Sequence, residues 1–164
     1  MEEVLAVEVV PFYREQAENT LRQLIRLKSV AASGQVHPKV FDRAQFPILL
    51  HRVQQGKPLE LTDEMRAFLR RAATSVAISE AETEEALASP ESAAALLGEV
   101  MRRLRDASAR LMSSLSRMSE LRDAGDLDGA RQQVRDWLAA EVVPRFRKAA
   151  EDHLAVLNEL PPPP

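Results

Sequence analysis

Residues 89–122 form the most strongly periodic part of the sequence. Ser89, Pro90 and Glu91 supply a capping residue, a first-turn proline and an acid in the order that helix starts prefer. No further proline occurs in this stretch, and no glycine follows Gly98. Apolar residues recur at intervals of seven, at Leu97, Leu104, Leu111 and Met118, with Met101, Ser108 and Leu115 in the companion positions. These features predict one helix about 50 Å long, which needs an equally long partner to cover its apolar side.

That partner follows directly in the sequence. Ala124-Gly125 ends the first helix, Asp126 is suited to cap a second one, and apolar residues then recur at helical spacing to the end of the chain. So short a link joins two helices into an antiparallel hairpin, here residues 90–122 and 126–158. Because Pro144 removes a main-chain hydrogen bond in the middle of the second helix, we expect a kink there.

A long string of the sequence occurs twice. Residues 5–24 reappear at 138–157, and eleven of the twenty paired positions are identical. Both copies contain Glu-Val-Val-Pro, at 8–11 and at 141–144. The first copy therefore predicts an N-terminal helix that resembles the last helix of the hairpin.

This N-terminal helix is predicted to lie within residues 1–28, from Glu3 to Lys28, with a kink at Pro11. A linker at 29–39 follows it, because small residues and glycine interrupt the pattern. Since the two copies are alike, the first helix could complete the bundle within its own chain or dock on a second chain.

Three short helices are predicted between residues 40 and 88. The first runs from Val40 to Gln55, with a possible late start at Pro47, and ends at a glycine. Thr62 is a suitable cap for the second helix. Ser79 and Glu82 have the spacing of a capping box for the third. We interpret 40–88 as a small helical subdomain in front of the hairpin at 89–160.

The composition supports a wholly helical fold. Apolar residues make up 45% of the chain, whereas aromatic residues make up only 4% and glycine occurs five times. A core built from Leu, Val, Ala and Met is typical of helices. We therefore predict an all-α protein, a helical bundle built on the long antiparallel hairpin and joined by the N-terminal helix and the small subdomain.

Charge and hydropathy narrow the possible partners. The formal net charge is -3, which gives no general attraction to nucleic acid or anionic lipid. No apolar stretch approaches the roughly 18 residues that span a bilayer. Acids at the N-terminus and the interruption of its apolar run by Glu8 and Pro11 are unlike a signal peptide. We expect a cytoplasmic protein without a membrane partner, and a polyproline II tail at 161–164.

No catalytic or metal-binding constellation stands out. The chain has no cysteine, and its histidines, His37, His51 and His153, form no metal-ligand motif. The acids at 80–85 are expected to face water, and the serines at 113–119 have no evident base beside them. We therefore expect no enzyme activity, no cofactor and no metal.

Several strings resemble a known family. Residues 56–73 (GKPLELTDEMRAFLRRAA), 78–90 (ISEAETEEALASP) and 121–144 (LRDAGDLDGARQQVRDWLAAEVVP) are similar to the DUSAM family, a paralogous domain of myxobacteria. The resemblance covers about residues 45–157, and the first 24 residues resemble the tail of a preceding family unit. The family has no assigned activity, so the resemblance implies a lineage without functional residues.

These observations favour a non-enzymatic interaction or regulatory module that binds a protein partner or itself, with a homodimer as one possibility. The bulky apolar residues of the repeated helices and the single tryptophan are the candidate interface: Phe12, Tyr13, Leu21, Leu24, Trp137 and Phe146. Trp137 could instead be a core anchor. The alternative function is a DNA-binding regulator in which Arg66, Arg70 and Arg71 of the 40–88 helices contact DNA, although the neighbouring acids make nucleic-acid binding unfavourable.

Overall fold

The computed structural model describes residues 11–36 and 43–160, without the side chain of Phe12. Within these ranges the chain forms seven helices and no strand. The helices are α1 (Pro11–Ser33), α2 (Gln45–Gln54), α3 (Asp63–Thr74), α4 (Glu80–Ala86), α5 (Pro90–Asp123), α6 (Leu127–Ala140) and α7 (Pro144–Glu159). The predicted all-α class is confirmed.

The described residues form two compact units. Unit 1 takes those within Met1–Leu69 and Glu85–Leu97, and unit 2 takes those within Arg70–Glu84 and Gly98–Pro164. Helices α3, α4 and α5 supply residues to both units.

The core of unit 1 is built around two phenylalanines. The rings of Phe46 and Phe68 meet edge to face, with centroids 5.2 Å apart, and both side chains are fully buried. Leu49 and Met65 are buried as well. Helix α3 begins as predicted, because the Met65 N–H donates to the Thr62 hydroxyl at 3.2 Å.

Helix α1 is longer at its C-terminal end than the sequence predicts. It continues to Ser33, so that the first five residues of the predicted 29–39 linker are helical. Val30 is buried, which favours the additional turn. The helix ends at Gly34, whose φ of 79° few other residues adopt. The predicted kink at Pro11 depends on residues that lie outside the described ranges.

Helices α4 and α5 begin at the predicted caps. The Glu82 carboxylate accepts from the Ser79 N–H at 3.0 Å, and the Glu82 N–H donates to the Ser79 hydroxyl at 3.3 Å, which is a capping box. At the start of α5, the Ser92 N–H donates to the Ser89 hydroxyl at 3.2 Å. Helix α5 then runs without interruption to Asp123.

The most buried line of α5 differs from the predicted one in the middle of the helix. Leu97 and Met118 are buried as expected, but the leucines at 104 and 111 between them are only half-buried. The fully buried residues there are small or short: Val100, Ala107 and Ser114, again seven apart. Small side chains at such positions let a neighbouring helix approach closely, so packing selects this line over the leucine line.

The predicted single helix after Asp126 is wrong, because the chain breaks it into α6 and α7. Glu141 and Val143 are extended, with ψ angles of 121° and 116°. A proline disfavours the helical conformation of the residue before it and offers no N–H, so Pro144 ends one helix and starts the next instead of producing a kink.

Helices α6 and α7 pack against each other and form the core of unit 2 with the end of α5. The buried members of this core are Met118, Ala130, Val134, Trp137, Ala150 and Leu157. The Trp137 ring lies 6.3 Å from the His153 ring, centroid to centroid. Trp137 thus has the role of a core anchor, which was one of the two roles considered from the sequence.

Candidate functional site

The candidate interface residues divide between surface and core. Tyr13 is 59% exposed, Leu24 is 48% exposed, and Leu21 is half-buried. The side chain of Phe12 lies outside the described part of the chain. Trp137 and Phe146 are buried in unit 2, so their rings offer little surface to a partner. The structure therefore leaves α1 as the exposed part of the predicted interface.

One face of α1 is apolar, and we call it the α1 stripe. It consists of Tyr13, Ala17, Leu21, Leu24 and Ile25, of which Ala17 and Leu21 are half-buried and the other three are exposed. In the repeat, the first four of these positions correspond to Phe146, Ala150, Leu154 and Leu157 of α7. In α7 three of the four are buried and Leu154 is half-buried. The same helix face is thus core in one copy and only partly buried in the other.

Helix α1 is held in unit 1 by other residues. Val30 is buried, and it follows Leu21 by nine residues, which is two and a half turns and places it on the opposite side of the helix. The Arg52 guanidinium of α2 donates from Nη1 to the carbonyl oxygens of Ala31 and Ala32, at 2.6 and 2.9 Å. Helix α1 therefore has a fixed C-terminal end, while Tyr13, Leu24 and Ile25 of its stripe remain exposed.

Unit 2 contains a buried ion pair at the break between α6 and α7. The Glu141 side chain is wholly buried, and its Oε1 accepts from the Val143 N–H at 2.8 Å. The Arg110 guanidinium donates to both carboxylate oxygens, at 3.3 Å each. Because a lone buried carboxylate is costly, Arg110 holds the extended segment in place. We did not anticipate this pair, although a glutamate three residues before a proline was a usable signal.

Arg110 also lines a cleft of about 430 Å³ in unit 2, which we call the arginine cleft. Its lining residues are Ala77, Arg102, Arg103, Asp106, Arg110 and Val142. Clefts that hold small molecules have volumes in the range of roughly 300–1,000 Å³. Nothing local in the sequence shows that residues 77 and 142 lie beside these arginines.

The arginines of this cleft are fixed by carboxylates. Arg102 donates to Glu99 from Nη2 at 2.7 Å and to Asp106 from Nη1 at 2.8 Å. Arg103 donates to Glu99 from Nε at 2.8 Å. The hydrogen bonds from Arg102 and Arg103 lower the pKa of the Glu99 carboxyl to about 2, so this group stays ionised near neutral pH.

A strained residue forms part of the cleft wall. Ala77 has a φ of 57°, whereas the other described residues with positive φ are glycines. It ends α3 in a Schellman motif, in which the Ile78 N–H donates to the Ala73 carbonyl at 3.0 Å. Arg103 Nη1 donates to the Val76 and Ala77 carbonyls at 3.1 and 2.8 Å. Such strain persists only where surrounding contacts hold it in place.

The chemistry of the remaining polar groups is structural. Glu82 caps α4, and Glu84 is paired with Arg70 at 2.6 Å. In the described ranges no three of the His, Asp and Glu residues come together as a metal site. The helices that the structure describes include none with both the length and the apolar character of a membrane span.

The fold and these surfaces define an all-α protein with an exposed helix stripe and an arginine-lined cleft. A family model described as a protein of unknown function (DUF2379) matches residues 42–157. The chain belongs to this family. Helix α1 precedes the matched region, whereas α7 lies within it for nearly its whole length. No curated protein and no solved structure matches the chain.

Proposed function

We propose that the protein is a non-enzymatic helical interaction module that self-associates through the α1 stripe. The observation that carries this proposal is the contrast between the two copies of one helix. Residues at the positions of the α1 stripe are mostly buried in α7, where they contact a helical core. An apolar stripe of this kind stabilises a helix when another helix covers it, because burial removes apolar area from water.

The proposed occupant is the α1 stripe of a second copy of the chain. In unit 2, the surface that accepts the α7 face is already occupied by α7, which only three residues connect to α6. Such a tether gives α7 a high effective concentration, so a second chain competes poorly for that surface. Two identical stripes, by contrast, form a self-complementary contact about a two-fold axis.

The DNA-binding alternative gains no support from the arginines that suggested it. Arg66 donates to the carbonyl oxygen of Leu87 at 2.6 Å, and Arg70 forms a two-bond pair with Glu84. Both guanidinium groups are thus engaged within the protein, whereas DNA binding uses arginines that are available to phosphates. We further propose that the family lineage is that of the DUSAM domain of myxobacteria, on the sequence strings quoted above.

Charge introduced into the α1 stripe tests the proposal. Ile25→Glu and Leu24→Glu place carboxylates in the proposed contact, and each is expected to convert a dimer into a monomer. Val156→Glu is the matched control, since Val156 is 59% exposed and Ile25 is 60% exposed. Analytical ultracentrifugation gives the mass. A wild-type protein that is monomeric at the highest attainable concentration, or a dimer that both α1 variants leave intact, contradicts self-association through this stripe.

A further inference from the structure

The arginine cleft has features that self-association does not use. Three cationic side chains and one carboxylate line it, while Glu99 and Glu141, which pair with the arginines, are not among the lining residues. With Asp106 included, three carboxylates match the three arginines, so attraction for an anion depends on the guanidinium N–H groups that these carboxylates leave unused.

Two guanidinium nitrogens in the cleft can donate further hydrogen bonds. Arg110 uses Nε and Nη2 for Glu141, and Arg103 uses Nε and Nη1 for Glu99 and the α3 carbonyls. Among the residues that the structure describes, Arg110 Nη1 and Arg103 Nη2 have no hydrogen-bond acceptor. Each guanidinium is already held on its other edge, so little side-chain entropy is lost when an anion binds.

Arg103 and Arg110 lie on the same side of α5 and line the same cleft. Arg103 and Arg110 are seven residues apart on α5, which is two helical turns. Both therefore project from the same side of the helix into one cleft. A phosphate group, with three terminal oxygens, can accept from two separate guanidinium groups at once.

The rest of the cleft lining is mixed, with Ala77 and Val142 apolar and Arg102 paired with Asp106. Val142, which is 57% exposed, lines the cleft together with Ala77, which comes from a distant part of the sequence. The volume of about 430 Å³ exceeds what one phosphate group needs and lies in the range of small-molecule sites.

From these observations we propose that the arginine cleft of unit 2 binds an organic phosphate. Its phosphate accepts from Arg103 Nη2 and Arg110 Nη1, and its organic part contacts Val142. The site lies apart from the α1 stripe in sequence, and it is independent of the proposed self-association. Because the attraction between guanidinium groups and a phosphate is electrostatic, we expect binding that weakens as salt is added.

The test adds charge to the cleft without removing any arginine. Val142→Glu places a carboxylate beside the proposed phosphate, and Val142→Lys places an ammonium group there. Val156→Glu, on α7 and outside the cleft, is the matched control with similar exposure. Circular dichroism establishes that each variant is folded, and adenosine monophosphate, adenosine and inorganic phosphate are the probes, titrated at low ionic strength and followed by NMR.

For the wild type we expect saturable shifts with adenosine monophosphate, weaker ones with inorganic phosphate and none with adenosine. Val142→Glu should weaken binding of the monophosphate by about tenfold or more, and Val142→Lys should strengthen it a few-fold, because one unit charge is added close to the anion. Val156→Glu should leave binding unchanged. No saturable shift with either phosphate probe, equal effects of the two glutamate variants, or equal binding of adenosine overturns the proposal.

Discussion

Helices α1 and α7 carry nearly the same residues on one face and differ in what that face contacts. Leu157 of α7 is 3% exposed, whereas Leu24, its equivalent in α1, is 48% exposed. Helix α7 lies against α6 and the core of unit 2, and α1 is attached to α2 through a different side. An apolar stripe therefore specifies a helix that can be buried, and the neighbouring elements decide whether it is.

The largest effect is expected from the same substitution made in both copies. Leu157→Ala removes a buried side chain and leaves a cavity, so it should reduce the free energy of unfolding by about 2–5 kcal/mol. Leu24→Ala should reduce it by about 0.5 kcal/mol in the monomer, because that side chain is half in water. Urea denaturation measures both. Equal losses at low protein concentration would mean that α1 is as buried as α7 and would remove the contrast.

The second prediction concerns what holds the start of α7. Arg110→Met leaves the buried Glu141 carboxylate with only the Val143 N–H as a partner. We expect a loss of about 1–3 kcal/mol, less than for a fully buried pair because the Arg110 side chain is 37% exposed. The double variant Arg110→Met with Glu141→Gln should recover part of this loss. If the losses in the free energy of unfolding caused by the two substitutions simply add in the double variant, Arg110 and Glu141 do not act as a pair and do not position α7.

Acid is expected to destabilise unit 2 by protonating Glu99. The pKa of this group in the folded protein is about 2, below its ordinary value of 4.5, so its contribution to stability is present above the higher value and is lost as the pH falls toward the lower one. Because the groups are partly exposed, we expect about 1 kcal/mol. Glu99→Gln should be less stable than the wild type at about pH 6, and the difference should shrink toward about pH 3. Thermal unfolding at several pH values measures it, and a constant difference contradicts the assignment.

The smallest effects are expected from exchanging residues at two helix ends. Ala77→Gly relieves the positive φ at the end of α3 and should stabilise the protein by about 0.5–1 kcal/mol. Gly34→Ala, at the end of α1, should destabilise it by about 1 kcal/mol, since φ is 79° and the new Cβ would lie 2.8 Å from Arg52 Nη2. Differential scanning calorimetry compares the two. A destabilised Ala77→Gly would show that the methyl group contributes more than the strain costs.

Local signals in the sequence were enough to locate most helix ends. Thr62, Ser79 and Ser89 act as caps because a short hydroxyl side chain reaches the first free N–H groups of the helix that follows. Gly56 and Gly125 end helices with φ near 80°, as their lack of a Cβ permits. Such interactions span only a few residues, and therefore the order of residues reveals them.

The features that the sequence did not predict depend on contacts between residues far apart in the chain. The buried pair at the break between α6 and α7 joins Arg110 and Glu141, which are thirty-one residues apart, so no local pattern reveals it. The apolar spacing of α5 does not show that Val100, Ala107 and Ser114 are more buried than Leu104 and Leu111, because close packing over short side chains depends on distant segments. The arginine cleft joins segments around 77, 103 and 142, and no sequence window contains all three.

The sequence by itself determined that the chain is helical, where most helices begin and end, and that one helix face occurs twice. These properties follow from caps, backbone preferences and apolar spacing, all of which act within a few turns. Only the tertiary structure decided that the face is buried in α7 and exposed in α1, and that Arg103 and Arg110 share a cleft with Val142. Burial and cleft formation depend on which distant segments meet, because the hydrophobic effect has no direction of its own.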